Sequence, residues 1–183
     1  MIIFMGVAGS GKSLQGKMLA DAVGLPWLST GEFLRMLITG QRRKDMLAGK
    51  LLEDDEIIAL VQKIFTVVDS KTEFVLDGFP RTVAQADWLL GQVKHKQLSV
   101  TAVIHLLADK ETVLRRLLSR GRQDDTESAI KERFNEYEAD IKPILDHFKV
   151  SGATVIDIDG EQAPAIIHQH ILEVLQSHHV HQN

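Results

Sequence analysis

The chain has 183 residues, enough for one well-packed domain with small insertions, and its 44% hydrophobic and 25% charged content is ordinary for a globular protein. A formal net charge of −4 argues against non-specific binding to nucleic acid, and the lack of cysteine excludes disulfides, thiol catalysis and thiolate metal sites. No apolar stretch approaches membrane-spanning length, and the first residues read as a core strand rather than a targeting signal, so a cytoplasmic protein is expected.

In chain order, the apolar run 2–5 predicts a short buried strand. It leads into Gly6-Val7-Ala8-Gly9-Ser10-Gly11-Lys12-Ser13, followed by helical spacing over 14–23. Strand, glycine-rich loop and helix in that order are the context in which G-x-x-x-x-G-K-[ST] binds phosphate rather than matching by chance. The glycines let successive backbone N–H groups face inward, and the helix N-terminus adds partial positive charge at the same point. Lys12 is expected to reach the β- and γ-phosphates of a nucleoside triphosphate, with the Ser13 hydroxyl able to ligate Mg²⁺. A short strand follows at 27–29, then a segment, 31–55, that fits a sheet-and-helix rhythm poorly and reads as a small mobile insertion.

A helix is predicted over 54–68 and an apolar strand over 74–77, closing on Asp77-Gly78-Phe79-Pro80-Arg81-Thr82. A carboxylate at a strand end suits Mg²⁺, directly or through its water shell; Gly78 permits a sharp exit and Arg81 presents a fixed fork to phosphate. Next come a helix over 83–91, a strand over 100–107 and a helix over 110–120. Arg116 and Arg120 stand one helical turn apart, so both project from one face. The short Gly-Arg-Gln-Asp-Asp patch that follows is a second candidate insertion. From Glu127 to 148, apolar Ile130, Phe134, Tyr137, Ile141, Ile144 and Phe148 keep amphipathic spacing, with Asp124 as the expected cap and Pro143 expected to kink or divide the helix. A strand over 154–158 and a helix over 163–176 complete the chain. The alternation predicts a three-layer α/β fold with a five-stranded parallel sheet and helices on both faces. His168, His170, His178, His179 and His181 read as a solvated, partly frayed terminus rather than a metal site, Trp27 and Trp88 as packing residues, and His105 as a hydrogen-bonded strand residue.

Several of these stretches together resemble the adenylate kinase family, a group of P-loop nucleoside monophosphate kinases. They are the loop from Gly6 to Gln15, Ser29-Thr30-Gly31-Glu32-Phe33-Leu34-Arg35, Gly49-Lys50-Leu51-Leu52-Glu53-Asp54-Asp55-Glu56, Asp77 to Thr82 with Gln85, and Arg122-Gln123-Asp124-Asp125. They run in family order from Met1 to about residue 160. The resemblance implies reversible transfer of the γ-phosphate of Mg²⁺-ATP to AMP. Gly9, Ser10, Gly11, Lys12 and Ser13 would cradle the donor phosphates, and Arg35 and Arg81 would bind the acceptor phosphate. Thr30, Gly31, Lys50, Leu52, Gly78 and Gln85 would line the acceptor site. Arg116, Arg120, Arg122 and Arg133 would close over the donor and the transferring group, with Ser13 and Asp77 near the metal. It also implies one domain, 1–183, with core segments 1–28, 57–118 and 126–183, a monophosphate-binding insertion at 29–56 and a vestigial lid at 119–125. A monomer is expected, with ATP and AMP as its partners and no nucleic acid or membrane.

Thr30 and Gln85 point to AMP, because relatives acting on UMP or CMP tend to carry Ala and Asn there. Two other readings fit the same residues: a kinase for UMP or CMP, and a nucleotide-binding protein with weak ATPase activity. The chain departs from the family pattern in Ser13-Leu14, where Gly-Thr is usual, in Glu32 for aspartate, and in a shortened span from Arg35 to Gly49. Only Gly121 separates Arg120 from Arg122, so the lid is minimal, which predicts poorer exclusion of water and some hydrolysis of ATP or a lower transfer rate.

Overall fold

The computed structural model describes residues 1–47, 52–67, 72–123 and 125–180. Its centre is a five-stranded parallel sheet of β1 (Ile2–Met5), β2 (Trp27–Ser29), β3 (Val75–Asp77), β4 (Ala102–Leu107) and β5 (Val155–Asp159), in the order β2-β3-β1-β4-β5. Ile3 of β1 lies level with Leu76 of β3 and Val103 of β4. Every residue of β1 is buried, which is why its sequence is a continuous apolar run rather than an alternation.

Helices cover both faces. Ile3, Met5, Leu76 and Val103 pack against α4 (Asp54–Val67), α5 (Val83–Lys94) and α7 (Glu127–Val150). Ile2, Phe4, Val75 and Ile104 pack against α1 (Lys12–Val23) and α8 (Pro164–Val180). A third cluster joins Val113 and Leu117 of α6 (Lys110–Arg120) to Ile130 and Phe134 of α7, under Val7. Trp88 lies against Phe65 and Phe79 as part of the core, and Trp27 packs with the α1–α8 layer.

Several sequence expectations shift. The segment read as irregular carries two helices, α2 (Thr30–Leu37) and α3 (Gly40–Leu47), and the Ser29 hydroxyl caps the first by accepting from the Glu32 N–H. The α7 cap is Thr126, whose hydroxyl accepts from the Ala129 N–H; Asp124 lies outside the described residues. Pro143 does not divide α7. Proline inside a helix costs about 3 kcal/mol, whereas burying each large apolar side chain contributes about 2 kcal/mol. Ile144, Leu145 and Phe148 are all buried just beyond it, so packing holds the helix together. The tail is not frayed where it is described: α8 is helical to Val180, with His168 and His170 on it, and His181 lies outside the described residues. His105, in the middle of β4, bonds Asp157 through Nδ1 at 2.7 Å and the Tyr137 hydroxyl through Nε2, so it ties the sheet to α7. Among the described residues no helix is long and apolar enough to cross a membrane.

Candidate active site

β1 and β3 are neighbours, but the helices that follow them, α1 and α5, lie on opposite faces of the sheet. The chain therefore parts at their C-terminal ends, the position where open parallel sheets form a binding crevice. A cleft of about 340 Å³ opens there. It is lined by Gly9, Gly11, Lys12 and Ser13 of the glycine-rich loop and α1, and by Thr30, Gly31 and Arg35 of α2. Leu52, Asp77, Gly78, Arg81 and Gln85 form one wall, and Arg116, Arg120, Arg122 and Arg133 the other. Of the site residues expected from sequence, two are not among its lining. Ser10 lies wholly buried beneath the loop, and Lys50 lies outside the described residues.

The loop is shaped by close backbone approach. At Gly6 (φ 148°) a Cβ would sit 2.6 Å from Ser10 Oγ and 2.7 Å from the Leu106 carbonyl oxygen, so only hydrogen fits. Gly11 caps α1 in the left-handed region, with no side chain accepting from the first-turn N–H groups. Those donors face the cleft, where an anion can take them. The Ser10 hydroxyl has no hydrogen-bond partner among the described residues. Lys12 Nζ donates to the Val7 carbonyl at 3.1 Å. Burial pulls the Lys12 ammonium down to about 8; Asp77 opposes that pull, and Arg81, Arg120 and Arg133 add to it.

The opposite half is built from side chains already in contact. Thr30 Oγ1 donates to the Asp77 carbonyl at 3.2 Å, and a Cβ on Gly78 (φ 83°) would come within 2.9 Å of that hydroxyl. Arg81 Nε donates to the Gly78 carbonyl at 2.8 Å. The Arg81 guanidinium is open to the cleft, yet crowding by protein lowers its proton affinity; Arg133 and Arg35 act in the same direction, against Asp77 and Glu136. Gln85, 1% exposed, accepts from the Arg81 backbone N–H at 2.9 Å and donates to Asp54 Oδ1 at 2.7 Å. Arg35 donates to Glu32 Oε1 at 2.6 Å, and Arg122 reaches the same oxygen from across the cleft at 3.3 Å. Partial burial opposes ionisation of Glu32, but Arg35 and Arg122 outweigh it and hold the carboxyl below its ordinary range.

Asp125 organises the arginines of the far wall. Its two carboxylate oxygens accept from Arg120 Nε at 2.8 Å and Nη2 at 2.6 Å, a bidentate pair. One of them also accepts from the Arg122 backbone N–H, and Arg133 Nη1 stands 3.9 Å away. Arg116 points its donors at carbonyls, bonding Gly160 at 2.7 Å with weaker contacts to Ser10 and Glu161, and so ties the loop to the segment between β5 and α8. Glu32, Asp54 and Asp125 therefore hold the cleft's cations and its buried amide in place, a role that their positions in the sequence do not signal. All three fall within the stretches that carry the family resemblance, but their spacing names no partner.

A family model for adenylate kinase matches residues 4–153 of this chain. The chain is 36% identical to the adenylate kinase of Corynebacterium urealyticum over 87% of its own length and 90% of that protein's. It is 35% identical to the adenylate kinase of Rhodopirellula baltica, over 95% and 94% respectively. The adenylate kinase of Corynebacterium aurimucosum is 34% identical, over 94% of this chain and 97% of that one.

Proposed function

The chain belongs to the adenylate kinase family and interconverts ATP plus AMP with two ADP, and from that premise we propose how its cleft divides the work. One observation carries the reading: seven cationic side chains, Lys12, Arg35, Arg81, Arg116, Arg120, Arg122 and Arg133, converge on one crevice beside the open N-terminus of α1. A group in transfer between two phosphates spreads negative charge over its equatorial oxygens, and fixed cations in a partly dry site stabilise that charge. No side chain is needed as a proton acceptor, because the attacking group is itself a phosphate oxyanion.

The loop from Gly9 to Ser13 takes the donor phosphates, Ser10 through its backbone because its side chain is covered. Arg116 spends three of its five N–H donors on carbonyls, which leaves the other two and its flat face for the donor nucleotide. Arg35 and Arg81 take the acceptor phosphate, while Thr30, Gly31, Leu52, Gly78 and Gln85, with Lys50, surround the acceptor nucleoside. Lys12, Arg81, Arg120, Arg122 and Arg133 meet at the transfer point. Segments 29–56 and 119–125 are the parts that close on substrate.

The residues also fit a divalent cation. Asp77 Oδ1 is buried and has no hydrogen-bond partner among the described residues, and Ser13 stands exposed in the same cleft. Asp77, through a water shell, and Ser13 would hold Mg²⁺, which when bound neutralises charge on the donor phosphates. The protein works as a cytoplasmic monomer without nucleic acid or membrane. Its short lid admits water, so ATP is also hydrolysed slowly.

A coupled assay for ADP formation from Mg²⁺-ATP with AMP, UMP, CMP, GMP or no acceptor tests this. ADP that depends on AMP is expected, with a small residue in the no-acceptor arm. Preference for UMP or CMP would overturn the base assignment. Equal ADP with and without acceptor would make the protein an ATPase, and no ADP with ATP still bound would make it a nucleotide-binding protein.

A further inference from the structure

Gln85 sits in a closed ring of hydrogen bonds. Its Oε1 accepts from the Arg81 backbone N–H at 2.9 Å, and its Nε2 donates to Asp54 Oδ1 at 2.7 Å. The same Asp54 oxygen accepts from Thr82 Oγ1 at 2.8 Å, and that hydroxyl in turn accepts from the Gln85 backbone N–H at 3.2 Å. Chemistry fixes the sense of this ring. A backbone N–H only donates and a carboxylate only accepts, so the carbonyl end of the amide must face Arg81 and the amino end must face Asp54. A flipped amide would set N–H against N–H and oxygen against oxygen in a site where Gln85 is 1% exposed, leaving buried groups unpaired.

We propose that Asp54 is a specificity-positioning residue: by locking the amide of Gln85 in one sense, it makes the acceptor site accept adenine and reject a 6-oxopurine. The inference rests on the reading of Gln85 as a base contact. The ring uses one of the two amide hydrogens and one of the two carbonyl lone pairs. What remains is one acceptor and one donor in fixed order. Adenine offers an amino donor beside a ring-nitrogen acceptor, whereas hypoxanthine offers a carbonyl acceptor beside a ring N–H donor. The locked amide pairs with the first, and pairs with the second only if it flips. Asparagine at position 54 presents either an acceptor or a donor, so it removes the mismatch of a flipped amide at that end, while the Arg81 N–H still opposes the flip at the other.

AMP and IMP differ in that edge alone and make the probe pair, with Mg²⁺-ATP as donor and the diphosphate products separated by chromatography. In the native chain kcat/KM is expected to favour AMP strongly. Asp54→Asn should lower the AMP-to-IMP ratio by tenfold or more, mostly through KM, with kcat for AMP within about threefold. Thr82→Val removes the other partner of Asp54 and the acceptor of the Gln85 backbone N–H, but leaves the Gln85 side-chain amide tied to Arg81 and Asp54, and should keep the ratio. A ratio unchanged in Asp54→Asn, or lost equally in Thr82→Val, overturns the lock and leaves Asp54 a structural link. Should Asp54→Asn fail to fold by circular dichroism, Asp54→Ser gives the same test, since it removes the carboxylate that accepts from the Gln85 amide while keeping a small polar side chain. Gln85→Ala separates the two layers of the inference. If it keeps the ratio, Gln85 does not read the base and the lock falls with it. If it abolishes the ratio while Asp54→Asn does not, the base contact stands and the lock alone is wrong.

Discussion

The two halves of the cleft are prepared in opposite ways. On the assignment proposed above, the donor half is backbone with groups left waiting: open N–H donors on the first turn of α1, and an unpaired Asp77 oxygen at the boundary between the halves. The acceptor half is side chains already satisfied: Arg35 on Glu32, Arg81 on Gly78, Thr30 on Asp77, and Gln85 on Arg81 and Asp54. A ligand entering the first half gains partners that were missing, which favours affinity. A ligand entering the second must exchange or share partners, which favours selectivity, because a near match leaves buried groups unpaired. That division suits a reaction in which one substrate is recognised chiefly by its phosphates and the other by both phosphate and base.

The sharpest way to break this contrast is to remove one cation from each half. Arg81→Ala is expected to lower kcat for phosphoryl transfer by about 10³-fold while the Kd for ATP changes by less than about threefold. Lys12→Ala should damage both ATP binding and transfer. If Arg81→Ala weakened ATP binding as much as transfer, the halves would not be separable. Gly6→Ala probes the backbone character of the donor half without touching charge. Its Cβ would meet Ser10 Oγ at 2.6 Å and the Leu106 carbonyl at 2.7 Å, in a conformation that L residues rarely adopt. We expect ATP affinity to fall by about 100-fold in calorimetry, with AMP binding nearly unchanged.

The same contrast explains what sequence alone conveys. The donor half is local: loop, Lys12 and Ser13 are contiguous, and the flanking strand and helix are dictated by an apolar run and by helical spacing. The order of strands and helices is legible for the same reason, since a sheet covered on both faces leaves unbroken apolar strands such as β1. Element ends are less legible because they depend on single caps, as with Gly11 starting α1 and Thr126 starting α7. Pro143 does not divide α7 because the packing of Ile144 and Phe148 outweighs a local rule. The acceptor half is non-local. Glu32 meets Arg122 from 90 residues away and Asp54 meets Gln85 from 31, and no spacing in the chain announces either pairing.

Proton linkage should also separate the halves, with a smaller effect. Lys12 has its proton affinity lowered to about 8, whereas a phosphate beside it would restore the ordinary high value. Below that pH the free protein already carries the charged ammonium, and ATP binds at constant affinity with respect to this group. Above it the free lysine is neutral, and ATP binding must take up a proton, so affinity falls as pH rises, by about tenfold between pH 7 and 9. Calorimetry in buffers of different ionisation enthalpy should register that uptake for ATP and not for AMP. Proton uptake on AMP binding of equal size would assign the shift to the acceptor half instead.

The smallest expected effect tests the acceptor half at a partly exposed carboxylate. Glu32 is 41% exposed at its side chain, so its pairs with Arg35 and Arg122 are screened by solvent and contribute less than about 1 kcal/mol to stability. Its consequence lies in competition: an acceptor phosphate must take Arg35 from a carboxylate that already holds it at 2.6 Å. Glu32→Gln keeps the shape and removes the charge. If the acceptor half works by exchange of partners, the KM for AMP should fall by two- to threefold, with kcat and the Kd for ATP steady. A rise in that KM would mean that Glu32 aims Arg35 rather than occupying it. The acceptor half would then be poised for its ligand much as the donor half is, and the distinction between the two would narrow to base recognition at Gln85.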